Sequence, residues 1–376
     1  IRDYKVTRVQ TCALPIWEQI NSAAWNCADP GVQFDDTINE WHTCPNEGRI
    51  NASNPCSEYM FLDNTACNLA SINLSHMIVD GKLDEEKIAR TVETGIRMLD
   101  NVIDNNYYPI PEAQNANLRH RAIGLGMMGY QDALYKLNID FESEDALEFC
   151  DLSMEAVSYY AILSSSKLAK ERGSYKSFKG SKWERGLLPF DTITLLEDNR
   201  GLKVNVNLSM RKDWSIVRDH IKQHGMRNSN TMAIAPTATI ANIAGVYPCT
   251  EPAFKNIYMK ENLSGNFIVI NKFLIDDLEK LGIWNTDLLS KIKLNNGSIT
   301  NVKDIPQHIK QKYKETFEID MQWIIKSAAL RAKWIDQSAS TNVFINTKSG
   351  KALNDIYMSA DRKSTRLNSS HLVISY

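Results

Sequence analysis

An α/β fold with a parallel sheet is what this sequence predicts, and three observations predict it. Two long stretches repeat apolar residues at helical spacing. Two short apolar runs, 231–235 and 342–346, read as buried strands with helical stretches between them. Strands separated by helices join in parallel, because a parallel connection needs a crossover and a helix supplies one. The composition also fits a packed domain, with 43% hydrophobic and 23% charged residues among 376, which rules out a disordered or collagen-like chain.

The elements follow in chain order. Residues 17–50 are mixed and polar, with turns marked by Pro30, Gly31, Pro45 and Gly48. Residues 51–75 contain no glycine and read as one unbroken stretch. Residues 83–104 carry Ile88, Val92, Ile96, Leu99 and Ile103 at steps of three and four, the stripe of an amphipathic helix. Pro109 and Pro111 end that unit. A longer helix is expected over 143–172. Glu144 and Asp145 suit its positive end, Lys167, Lys170 and Arg172 its negative end, and Gly173 its stop. Residues 174–208 read as irregular and 213–224 as helical. The strand 231–235 leads into a Pro-Thr turn. Helices at 271–282 and 320–337 and the strand 342–346 complete the reading. No internal repeat interrupts it.

The charge balance, 43 basic against 45 acidic residues, argues against a general nucleic-acid binder. No run of about 18 apolar residues exists to cross a membrane. Seven cysteines without a C-x-x-C pair, and no signal peptide, point to a reducing cytoplasm rather than a disulfide scaffold. The two ends look foreign. Residues 1–16 (IRDYKVTRVQTCALPI) and 361–376 (DRKSTRLNSSHLVISY) carry no clear period and resemble translated sequencing-adapter DNA. The expectation is two non-native tails around an authentic part, 17–360, of a protein that continues beyond both. Cys12 and His371 receive no role on that reading.

The densest chemistry is Asn54-Pro55-Cys56-Ser57-Glu58, with Cys67 eleven residues after Cys56. In an extended segment alternate side chains share a face, so an amide, a thiol and a carboxylate would stand side by side. A thiol carries a hydrogen atom or an electron, a neighbouring carboxylate takes a proton from a hydroxyl, and an amide orients that hydroxyl without titrating. Cys67 would return to the same pocket as a redox thiol. Spacing alone leaves open the alternative that both cysteines are inert packing.

The stretch NPCSEYMFLDNTACNLASINL at 54–74 resembles the active-site segment of ribonucleotide reductase large subunits, with the adenosylcobalamin-dependent (class II) diphosphate reductases as the best match. The resemblance continues through RINASNPCSEY at 49–59, NSNTMAIAPTATIANIAGVYPCTEP at 228–252 and KWIDQSASTNVFI at 333–345. It implies a ten-stranded α/β barrel with a central finger loop carrying the radical cysteine. It implies that Cys56 becomes a thiyl radical and abstracts the ribose 3′ hydrogen, that Glu58 is the base on the 3′ hydroxyl, and that Asn54 hydrogen-bonds near it. It implies that Cys67 is one of two cysteines oxidised to a disulfide as the 2′ hydroxyl leaves. Adenosylcobalamin would make the radical, and the protein would position the reactants and exclude solvent. The implied partners are a ribonucleoside diphosphate substrate, a thioredoxin-like or glutaredoxin-like reductant, deoxynucleotide effectors in the full-length enzyme, and a second copy in a homodimer; neither nucleic acid nor membrane is among them. The second redox cysteine, the effector region and a C-terminal cysteine tail would lie outside 17–360, so the expectation is a catalytic-domain fragment, inactive alone.

A second site is Pro236-Thr237-Ala238-Thr239-Ile240, where a strand meets a turn of small residues and a helix is expected from Ile240. Backbone amides at a helix start bind phosphate. The bland reading is an ordinary Thr-capped junction; by resemblance it is the loop that holds the substrate's phosphates. Glu251 and Pro252 belong to the same pattern without a derived role. The run Gly124-Leu125-Gly126-Met127-Met128-Gly129 satisfies G-x-G-x-x-G, but the chain before it, NANLRHR, lacks the strand of a dinucleotide site; it reads as a structural glycine-rich turn. His42, Cys44, Cys56 and Cys67 could be written as zinc ligands, but lack a close cysteine pair. Cys27, Cys44, Cys150 and Cys249 read as core. The rival readings are therefore a class I iron-dependent large subunit, whose radical comes from a partner subunit, and a zinc-stabilised binding module without catalysis.

Overall fold

A computed structural model describes residues 33–201, 203–262, 265–345 and 350–362 without interruption, with shorter described stretches at 16, 18–20, 22–23, 26–27, 367–368 and 372–374. Most of both expected tails, including Cys12 and His371, lies outside the described residues, as do the turn markers Pro30 and Gly31.

The architecture is mixed α/β, and its centre is a row of parallel extended segments. Asn68–Asn73 pairs with Ile123–Met128, Asn68 opposite Ile123 through Asn73 opposite Met128. Leu125 then bridges Met232, and Ile234 bridges Ala339. The ladder is continuous: the Leu125 N–H donates to the Thr231 carbonyl at 2.8 Å, the Ala233 N–H to Leu125 at 3.2 Å, and the Ser340 N–H to Ile234 at 2.9 Å. The segment expected as a strand at 231–235 thus joins the row only through isolated bridges at Met232 and Ile234, and the strand expected at 342–346 appears as Val343–Ile345. Ala339–Ser340 and Val343–Ile345 pair in parallel with Leu367–Asn368 and Leu372–Ile374. An antiparallel hairpin, Ile257–Asn262 with Gly265–Ile270, stands apart. A closed ten-stranded barrel is not formed among the described residues; the parallel row is open.

The glycine-rich run is a strand, not a turn. All six residues of Ile123–Met128 are buried, as expected of a parallel strand covered on both faces. A Cβ on Gly126 would lie 2.5 Å from the Ala233 carbonyl oxygen, and one on Gly124 within 2.9 Å of Ala233 Cβ and of Cys67 Sγ. Close backbone approach, not dinucleotide binding, is what these glycines provide.

Helices cover the sheet. Asp84 caps Glu85–Asn105 by accepting the Lys87 N–H, and the Ile88-Val92-Ile96-Leu99-Ile103 stripe is buried against Glu144–Arg172. That second helix starts at a Ser143 cap, ends at Gly173, and is buried along most of its length. Several of its serines are buried and bonded to neighbouring segments: Ser158 Oγ donates to the Trp334 carbonyl at 2.6 Å and Ser165 Oγ to Asn228 Oδ1 at 2.9 Å. The helix expected at 320–337 ends at Ala332. The chain turns there because the Asp336 carboxylate accepts the Thr231 N–H at 2.7 Å and the Met232 N–H at 2.9 Å. Residues 174–208 are not wholly irregular, since Asp191–Arg200 is helical and stops at Gly201 in the left-handed region. A new helix, Pro111–His120, begins where the prolines were expected only to end one. Among the described residues no helix is long and apolar enough to cross a membrane.

Candidate active site

The segment expected to be extended is a tight turn. Ser53 bridges Met60 antiparallel, and between them the Ser57 N–H donates to the Asn54 carbonyl at 3.0 Å while the Asn54 N–H donates to the Tyr59 carbonyl at 3.1 Å. Pro55 sits at the second position of this turn, where its fixed φ is preorganised. Ser57 takes a φ of 60°. The alternation argument for a shared face of positions 54, 56 and 58 therefore fails, and Asn54 does something else. Its Oδ1 accepts the Tyr59 N–H at 3.0 Å, so the side chain closes the loop.

The turn presents Cys56 half-buried, and folds Ser57 and Glu58 inward. Glu58 is 3% exposed. Its carbonyl accepts the Ser338 N–H at 3.2 Å, which docks the turn onto the end of the parallel row. Its carboxyl oxygen Oε2 is buried and has no hydrogen-bond partner among the described residues.

Cys67 immediately precedes the Asn68–Asn73 strand and lies against Gly124. Burial first, then the charges of Glu58 and Asp336, push its thiol well above the usual cysteine range, and a hydrogen bond from Gln337 opposes them. Burial and the same Glu58 carboxylate also raise Cys56. One carboxylate therefore acts on both thiols, and the three side chains share a site. Both thiols stay protonated at neutral pH, the form that carries a hydrogen atom.

The loop 236–240 leaves the same sheet two residues beyond Ile234. Thr237 is in the left-handed region and precedes a seven-residue helix that begins at Ala238 rather than Ile240. Its hydroxyl does not cap that helix; it accepts the Cys249 N–H at 2.7 Å, tying the loop to 249–251. Pro236 is half-buried, whereas Ala238, Thr239 and Ile240 are exposed and their first-turn amides have no acceptor within the helix. Glu251, 9% exposed, holds Asn342 Nδ2 at 2.5 Å.

The proposed zinc set does not assemble: among the described residues no three His, Cys, Asp or Glu side chains converge as metal ligands. Cys44 instead lies 3.4 Å from Tyr175 Oη, pushed up to about 11 by burial. His42 is held down at about 4 by burial and Lys182. Cys150 and Cys249 are buried as expected, but Cys27 is exposed. Residues 336–338, which hold strand 231–232, face Cys67 and dock Glu58, were passed over in the sequence. Their only signal was membership of the KWIDQSASTNVFI run.

The sequence pattern of the family described as "Ribonucleotide reductase, barrel domain" matches residues 2–366. The chain belongs to that family. It is 46% identical over 368 residues to the ribonucleoside-diphosphate reductase subunit alpha of Chlamydia muridarum, covering 96% of this chain and 35% of that protein. It is 47% identical over 353 residues to the protein of the same name from Chlamydia trachomatis, covering 93% of this chain and 34% of the other. The ribonucleoside-diphosphate reductase large chain of Schizosaccharomyces pombe is 36% identical over 341 residues, 90% of this chain and 41% of that one. The chain thus spans roughly a third of the length of the curated relatives it matches most strongly. Their names, subunit alpha and large chain, designate one component of an enzyme with a further subunit, and lend no support to the adenosylcobalamin expectation.

Proposed function

We propose that a full-length reductase carrying this sequence converts ribonucleoside diphosphates to 2′-deoxyribonucleoside diphosphates through a thiyl radical at Cys56. The observation that carries this reading is the buried Glu58 carboxyl, whose Oε2 has no hydrogen-bond partner among the described residues, on the same turn that presents Cys56. The Cys56 sulfur takes the 3′ hydrogen atom. Glu58 takes the proton of the 3′ hydroxyl, with the Asn54 amide oriented near it. The 2′ hydroxyl leaves as water with a proton from the redox pair. Cys67 and a second thiol supply two electrons, one proton to the departing water and one hydrogen to the 2′ carbon and become a disulfide, Glu58 returns its proton to the 3′ oxygen, and Cys56 returns a hydrogen atom to the 3′ carbon. The exposed amides at 238–240 and the Thr239 hydroxyl take the substrate's phosphates. Residues 17–360 act as part of the catalytic barrel, with 1–16 and 361–376 as non-native tails.

The radical source follows the relatives' names: a separate partner subunit rather than adenosylcobalamin. The test is turnover of a ribonucleoside diphosphate with dithiothreitol by the full-length protein. Activity should require a second subunit, should not be restored by adenosylcobalamin, and should vanish in Cys56→Ser while the fold survives, because a seryl O–H bond is too strong for reversible radical formation. A tenth of wild-type activity in Cys56→Ser, on the order of a 1.4 kcal/mol change in barrier, would sink the radical assignment.

A further inference from the structure

Two histidines stand one turn apart at the end of the helix Trp214–His224, and none of the steps above uses them. His220 and His224 are four residues apart, so they share a helix face, and their ring centres lie 4.6 Å from each other. The hydrogen bonds around His220 fix its proton. Ser166 Oγ lies 2.7 Å from the Gly225 carbonyl oxygen and 2.7 Å from His220 Nδ1. A carbonyl only accepts, so the single hydroxyl hydrogen goes to Gly225, and the hydroxyl oxygen accepts the proton on Nδ1. In the neutral ring Nε2 is then the bare nitrogen. Burial first, then His224, Lys170 and Lys167, hold His220 below the ordinary histidine range, which keeps that ring neutral at pH 7.

The arrangement matches a chelating pair. An imidazole that binds a metal almost always donates its other N–H to an oxygen, which orients the ring, and Ser166 does this for His220. A metal about 2.1 Å from each nitrogen stands about 3.2 Å from each ring centre, so two imidazoles at about a right angle hold their centres about 4.5 Å apart. The observed separation fits that figure. Both residues are half-buried, and the negative end of the helix favours a cation in its last turn. Imidazoles suit Zn²⁺, Ni²⁺ and Cu²⁺, whereas Ca²⁺ and Mg²⁺ take oxygen ligands. No third His, Cys, Asp or Glu converges on the pair among the described residues, which leaves the remaining positions to water. Lys167 is paired with Glu93 at 3.2 Å, so Lys170 is the main opposing charge.

We propose that His220 and His224 form a two-imidazole site for a first-row divalent transition metal, with Nε2 of His220 as one ligand and Ser166 as the residue that orients it. The ion pins the last turn of this helix, which Ser166 already ties to the helix Glu144–Arg172 through Gly225.

The experiment measures binding of NiCl2 by equilibrium dialysis to the full-length protein, with its thiols alkylated so that cysteines do not compete. Wild type should bind one Ni²⁺ more than His220→Asn, His224→Asn or the double variant. The three variants should match one another, because a chelate is lost with either ligand. Excess MgCl2 should not displace the ion. Ser166→Ala should keep the site and weaken it by about tenfold or more, the range for removing a partner of a metal-bound histidine. Equal Ni²⁺ binding by wild type and His224→Asn overturns the site. Loss in only one of the two single histidine variants overturns the chelate. Unchanged affinity in Ser166→Ala overturns the orientation assigned to His220. The histidines are half-buried on a helix surface, so their variants carry the test even if Ser166→Ala does not fold.

Discussion

Two glutamates are buried to the same degree and are used in opposite ways. Glu155, on the long central helix, is 1% exposed and Glu58, on the active-site turn, is 3% exposed. Around Glu155, Oε1 accepts the backbone N–H groups of Arg211 and Lys212 at 2.9 Å each and the Trp214 Nε1–H at 3.1 Å. Oε2 accepts the Arg211 N–H at 3.0 Å. The desolvation of that carboxylate is offset bond by bond, and the result is a clasp that fixes the start of the Trp214–His224 helix. Around Glu58, Oε2 has no hydrogen-bond partner among the described residues. A buried polar group without a partner costs about 1–3 kcal/mol, more when charged. The fold bears that cost at the one turn where two thiols sit beside the carboxylate. The unpartnered oxygen is available to a hydroxyl that the chain does not contain.

The comparison breaks most visibly at Glu58. Glu58→Gln keeps the shape and removes the base, so turnover in a full-length reductase should fall by about 10²–10⁴, the range for a general base. Thermal stability should hold, because the amide keeps the volume of the side chain and Oε2 has no hydrogen-bond partner among the described residues to lose. A variant that loses stability and keeps activity would reverse the assignment. Glu155→Gln should do the opposite. Replacing one carboxylate oxygen by an NH2 group sets a donor against donors, and loss of a charged hydrogen bond costs about 1.5–3 kcal/mol. The thermal midpoint should drop, with kcat per folded molecule near wild type. A large fall in kcat at unchanged stability would mean that the clasp serves the reaction and not the fold.

Much of this contrast was legible in the sequence, on uneven grounds. The stripe from Ile88 to Ile103 announces its helix because burial on one face leaves a 3.6-residue trace. The cluster Asn54, Cys56 and Glu58 was visible as chemistry, but the extended geometry assigned to it was wrong. Pro55 and the Asn54 cap impose a turn instead, a local feature that the Asn-Pro pair could have signalled. The strand Ile123–Met128 left no alternation to read, because it is covered on both faces and its glycines serve close packing. Gln337 was hidden for a different reason. Helical periodicity runs on through 333–337, whereas the helix is ended by Asp336 bonding residues 104 and 105 positions away in sequence. A contact of that range writes nothing into a local pattern.

Glu251 lies between the two extremes and sharpens the contrast with the smallest effect. It is buried like the others and holds one partner, Asn342 Nδ2 on Oε1. Burial raises its carboxyl from the ordinary 4.5 to about 7, with Asn342 and Arg331 pulling back. Between those two values the folded protein keeps a proton that the unfolded chain has released, so stability falls as pH rises from about 4.5 to about 7. The slope from one such group cannot exceed about 1.4 kcal/mol per pH unit. Glu251→Gln should flatten that part of the profile and gain stability relative to wild type at pH 7 and above. Glu315, also raised to about 7 by burial, is present in both proteins, so the difference between their thermal midpoints across pH isolates Glu251. Parallel profiles for the two proteins would mean that the partners of Glu251 fully offset its burial.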